Sequence, residues 1–149
     1  MSVSTDGILF FGFTFHEEDA DSENLSTKPA WFEIDWEEFY VTKKGLTKPS
    51  EKYPPNRDPE LEAAWDKYYT AKRDMLKAEP CTVAFHGGEG CWALFVTVKG
   101  GYLRASRGYP KKVTMFTGSP SWFEQIKTFC QIMEIDFQEP AWYLASYWG

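Results

Sequence analysis

The segment Ile8-Leu-Phe-Phe-Gly-Phe-Thr-Phe15 constrains this chain more than any other. It is built from aromatic and β-forming residues, it has the length of a strand, and its apolar residues follow one another instead of alternating with polar ones. A strand of that kind has two apolar faces over part of its length, so the spacing predicts a central strand. The rest of the chain must supply its neighbours and its covering layers.

Beyond it, residues 17–30 are acidic and polar, contain Pro29 and read as an exposed loop. Residues 31–45 carry two periodicities. Phe32, Ile34 and Trp36 alternate with Glu33, Asp35 and Glu37 as in a half-buried strand, whereas Phe32, Trp36, Phe39 and Tyr40 share a helical face. Asp35 with Glu38 makes a capping-box-like start, and Lys43, Lys44 and Gly45 make a dipole-compatible end, which favours a helix from about Trp36. Pro49, Pro54 and Pro55 impose an extended loop, and Asp58-Pro59 then opens a helix whose apolar residues Leu61, Trp65, Tyr68, Met75 and Leu76 continue toward Pro80. Residues 81–86, 91–99 and 102–107 read as three short strands of an antiparallel meander, turned by Gly87-Gly-Glu-Gly90 and by Gly100-Gly101. Ser119-Pro120, with Ser121 and Glu124, signals a third helix with the stripe Trp122, Phe123, Ile126, Phe129, Cys130 and Met133, and residues 141–148 read as a last strand. Tyr102-Leu-Arg-Ala-Ser106 echoes Tyr143-Leu-Ala-Ser146, as two similar strands of one sheet would. This order predicts a single α+β domain over 1–149, with about three helices packed on an antiparallel sheet of about five strands.

At 149 residues the chain can bury roughly two thirds of its unfolded surface in one core. No apolar run approaches the roughly 20 residues of a membrane helix, and the start has no basic region preceding an apolar one, so the expected location is the cytoplasm. Cys81, Cys91 and Cys130 are odd in number and widely spaced, which suits reduced thiols and no disulfide framework. The net charge of −6 is unevenly spread, with −9 in residues 1–66 and +3 in 67–149. Residues 17–38 hold nine acids against Lys28 alone, a patch that repels a phosphate backbone and attracts basic partners.

Three constellations bear on chemistry. In His86-Gly-Gly-Glu-Gly-Cys91 a thiol near an imidazole, with glycine amides between them, has the ingredients of a nucleophile and an oxyanion site. Turn geometry alone also explains those glycines, and no third orienting group is identifiable. Arg104, Arg107, Lys111 and Lys112, with Tyr102 and Tyr109, form a basic-aromatic cluster suited to phosphate, a nucleotide or another small anion, although the acidic total argues against nucleic acid. The His and Cys residues lack the spacings of a zinc site, and the acids lack the glycine and ligand alternation of a calcium loop, so no metal and no cofactor are expected.

Gly7-Ile-Leu-Phe-Phe-Gly-Phe-Thr-Phe15, Lys43-Lys-Gly-Leu-Thr-Lys-Pro49, Ala105-Ser-Arg-Gly-Tyr-Pro110 and Trp142-Tyr-Leu-Ala-Ser-Tyr-Trp-Gly149 together resemble an uncharacterised family of small acidic proteins from bacteriophages and other mobile elements. The resemblance covers most of the chain and carries no catalytic residues. It implies a context in which small proteins often bind and block a host protein, including components of immunity systems such as CRISPR. The leading expectation is therefore a non-catalytic inhibitor that contacts a basic groove of a host protein through Trp31, Glu33, Asp35, Trp36, Glu37, Glu38 and Tyr40. The alternatives are a small thiol-dependent enzyme centred on His86 and Cys91, and a nucleotide- or small-ligand-binding domain using the basic cluster.

Overall fold

The computed structural model describes residues 5–15, 28–50, 58–88, 91–114 and 117–148, and for residues 5, 88, 91, 92, 147 and 148 the backbone alone. Most of the predicted acidic loop, Pro54 and Pro55, and the centre of the Gly87–Gly90 turn lie outside the described residues. The chain is α+β, with three helices and a four-stranded antiparallel sheet among the described residues, and it divides into two compact units. One unit comprises residues 1–30 and 80–149, the other residues 31–79.

The first unit holds strands β1 (Thr5–Thr14), β2 (Cys81–Gly88), β3 (Cys91–Ser106) and β4 (Ala141–Trp148), and helix α3 (Pro120–Met133). Strand order is β2-β3-β1-β4, so the phenylalanine-rich β1 pairs on both sides, as its two apolar faces demand. Phe10 stands opposite Tyr102 of β3 and Tyr143 of β4, which explains the sequence echo: the two tyrosines flank one phenylalanine. On that face Phe10 stacks on Phe95 at 4.0 Å between centroids and on Tyr143 at 5.2 Å, above the buried Ile8. Phe11, the next residue, points to the other face, where it meets Trp122 of α3 and Trp142 of β4. Helix α3 packs on β3 and β2 and buries Ile126, Phe129, Cys130 and Met133. Ile126, Phe129 and Met133 each contribute about 1.5–3 kcal/mol on leaving water.

The predicted turn at Gly100-Gly101 does not form, and the meander of three strands is two, with β3 running unbroken through both glycines. Gly101 serves close approach instead of reversal. A Cβ on Gly101 would lie 2.9 Å from Cβ of Phe11 and 3.2 Å from the Trp122 ring, and one on Gly100 would lie 3.4 Å from that ring. Here the β1–β3 register shifts between Phe10 and Gly12. The buried Thr97 hydroxyl donates to the Phe11 carbonyl at 3.0 Å, satisfying a group at the irregularity. The sheet thus has four strands where about five were expected.

The second unit pairs α1 (Trp36–Lys43) with α2 (Pro59–Ala78). Both start as their sequences dictate: the Asp35 carboxylate accepts from the Glu37 amide, and Asp58 accepts from the amides of Glu60 and Leu61. The predicted second half of the α1 capping box is absent, because Glu38 accepts from Tyr68 and Lys72 of α2. At α3 the Ser119 hydroxyl makes no capping bond and lies 2.8 Å from that of Ser121.

Candidate functional site

The acids at the start of α1 gather around one cation. Lys72 Nζ lies 3.0 Å from Glu38, 3.4 Å from Glu37 and 3.5 Å from Asp35, and Lys48 reaches the other oxygen of Glu38 at 3.1 Å. Burial pushes the Glu38 carboxyl up, but hydrogen bonds from Tyr68, Lys72 and Lys48 outweigh it and hold the group below the usual carboxylate range. Burial likewise works against charge on Lys72, and its three carboxylates overcome this and raise it. Burial and the hydrogen bond to Glu38 push the Tyr68 phenol up to about 12. These groups fix the geometry of the α1 N-terminus, whose dipole also favours Glu37 and Glu38.

The predicted contact residues separate into two sets. Trp31 and Tyr40 are core residues, 3% and 2% exposed, and the Tyr40 hydroxyl is spent on Glu79, so neither supplies a surface anchor. Trp36 is half-buried. Glu33 and Asp35 face solvent, Glu37 is partly exposed, and between the first two stands Ile34, 60% exposed and outside the predicted contact set. Ile34 sits on a turn at residues 30–34, where its amide donates to the Trp31 carbonyl at 2.9 Å.

At the second constellation, strand register sets His86 opposite Ala93 and Gly88 opposite Cys91, so His86 and Cys91 occupy diagonal positions of one hairpin. The His86 side chain is half-buried, and that of Cys91 lies outside the described residues. Cys81 and Cys130 are free and buried, and burial pushes the Cys130 thiol up to about 12, which keeps it protonated and inert at neutral pH. Among the described residues no three His, Cys, Asp or Glu side chains are placed to hold a metal ion.

The basic cluster sits at the end of β3 and the segment after it. Arg104 is ion-paired with Asp6, and Arg107, Lys111, Lys112 and Tyr109 are exposed. Arg104 and Lys111 line a concavity of about 260 Å³ whose floor is apolar. Leu103, Leu9 and Leu144 form that floor because register aligns them across β3, β1 and β4. Each leucine sits in an ordinary strand pattern, so only the pairing reveals the row.

No helix among the described residues is long and apolar enough to cross a membrane. No family model, curated protein or solved structure matches the chain.

Proposed function

We propose that the protein is a non-catalytic binding protein that engages a basic partner protein through residues 33–38 of the α1–α2 unit. One observation carries the reading: an exposed isoleucine stands between two solvent-facing acids on a turn that leads directly into the Asp35 cap of α1. An apolar anchor ringed by fixed charge is the anatomy of a protein contact, in which the anchor governs dissociation and the acids steer association. Lys72 offsets part of the charge of Asp35, Glu37 and Glu38, and Lys48 part of that of Glu38, which leaves Glu33 as the principal steering group. In the bacteriophage setting that the resemblance implies, the partner is a host protein with a basic groove, and occupation of that groove blocks it.

Affinity capture from a host lysate at two salt concentrations tests this, using Glu33→Lys and Ile34→Asp, which spare both the cap and the Lys72 cluster. Each variant should retain native helicity and lose most of the captured partner, Glu33→Lys chiefly at low salt. Capture that survives both changes, but fails when Arg107 and Lys112 are replaced, places the contact on the basic cluster and overturns the proposal.

A further inference from the structure

We propose that the concavity over β3, β1 and β4 is a binding site for a soluble single-chain anionic amphiphile of the alkyl-carboxylate class. The chain would lie over Leu103, Leu9 and Leu144 and the carboxylate would meet Lys111. This site belongs to the first unit alone and is independent of the acidic contact proposed above.

The shape of the site follows from the sheet. Leu9 pairs with Leu103 on one side and Leu144 on the other, giving three isobutyl groups in a row on one face. Two residues along β1 on the same face, Gly7 contributes no side chain, and a Cβ built there meets nothing within 4 Å. The gap left by Gly7 extends the leucine row into a depression, and Val113 walls it from the segment beyond the β3 end. Leu144, 80% exposed, is the most exposed large apolar residue among those described, although it lies directly opposite the buried strand β1. Apolar surface of this kind, concave and contiguous, is the sort that ligands cover.

Volume and charge then narrow the occupant. A volume of about 260 Å³ holds roughly nine water-sized groups, which matches one chain of about eight to ten carbons. The charged side chain that lines it is the cation Lys111, and no carboxylate side chain does; Arg104, opposite Ile8 in the register, borders it with its backbone and turns its guanidinium to the other face of the sheet. Arg104 is held by Asp6, whereas no ion pair among the described residues engages Lys111, which leaves its ammonium for the head group. Charge complementarity therefore selects an anion over a neutral or cationic amphiphile.

Calorimetric titration of the full chain with decanoate, decanol and decylamine tests the inference, with amide chemical shifts locating the bound chain. Decanoate should bind saturably with one site, at least about tenfold tighter than decanol, and decylamine should not bind. Lys111→Glu should weaken decanoate by about tenfold while leaving decanol unchanged, and Gly7→Val should abolish both by filling the depression. Gly7→Val meets no steric obstacle and suits a strand, so its melting temperature should match the parent; should it fail to fold, Lys111→Glu and the decanol comparison still decide. Equal affinity for decanol and decanoate, binding that survives Gly7→Val in a folded protein, or shifts confined to the other face of the sheet overturn the proposal. So does a concentration-dependent dimer that Leu144→Asp dissociates while decanoate fails to bind, since a second copy would then be the natural cover.

Discussion

Gly12 and Gly7 lie on the same strand and answer to opposite demands. A Cβ on Gly12 would fall 1.8 Å from the Val96 carbonyl oxygen, a backbone atom that cannot swing aside, whereas the space beside Gly7 is open. Gly12→Ala should therefore destabilise the fold by about 1–3 kcal/mol or more, while Gly7→Ala should be close to neutral; urea midpoints at constant m-value measure the difference. The cysteines provide a second residue-scale contrast. Cys81 and Cys130 are buried, and the Cys130 thiol is pushed up to about 12, so neither should react with an aromatic disulfide reagent at pH 8 until the protein unfolds. Rapid labelling of either in the native state would contradict the packing of α3 on the sheet.

The helix ends differ at the scale of the element. Asp58 accepts two amide bonds and should cost about 1 kcal/mol when replaced by Ala, whereas Ser119 caps nothing with its side chain and Ser119→Ala should cost a few tenths, both read by thermal denaturation. The α1–α2 contact also has a defined pH window. Glu38 is held below its ordinary value of 4.5, so its contribution is complete above that value and disappears as the pH falls through the lower folded value. Lys72 and Tyr68 are raised, so their contributions are complete below about 10, the ordinary Tyr68 value, and disappear as the pH climbs through the folded values, about 12 for Tyr68. Stability against pH should thus form a plateau with an acid limb that Glu38→Gln flattens and an alkaline limb that Tyr68→Phe shortens. An unchanged acid limb in Glu38→Gln would assign it to other carboxylates.

For the molecule as a whole, charge and surface chemistry are distributed unevenly. Residues 1–66 carry a balance of −9 and residues 67–149 one of +3. The acidic contact at residues 33–38 and the cation-rimmed depression beside Lys111 carry opposite signs accordingly, and they should respond to salt with partners of opposite charge. Neither surface calls for a metal. Chelator and reductant should leave the melting temperature within about a degree, since the described cysteines are free and no ligand cluster is present among the described residues. A larger fall with chelator would reveal ligands supplied from outside those residues.

What the sequence determined by itself is local. Asp35 and Asp58 cap helix starts and Pro59 and Pro120 stand in first turns, and the phenylalanine run of β1 demanded an inner strand, because capping, proline geometry and periodicity act over a few neighbouring residues. What tertiary structure decided depends on partners tens of residues away. Gly100-Gly101 looks like a turn in sequence and is an unbroken strand, in which Phe11, Val98 and Trp122 press so closely on Gly101 that a Cβ there would force them to shift. Glu38 looks like half of a capping box, and Tyr68 and Lys72 of another helix offer it stronger bonds. Trp31 and Tyr40 look like anchors for a partner, and their large apolar area gains more from burial in the chain's own core. The leucine row under the depression exists in no segment at all: it is produced when three strands, distant in sequence, settle into one register.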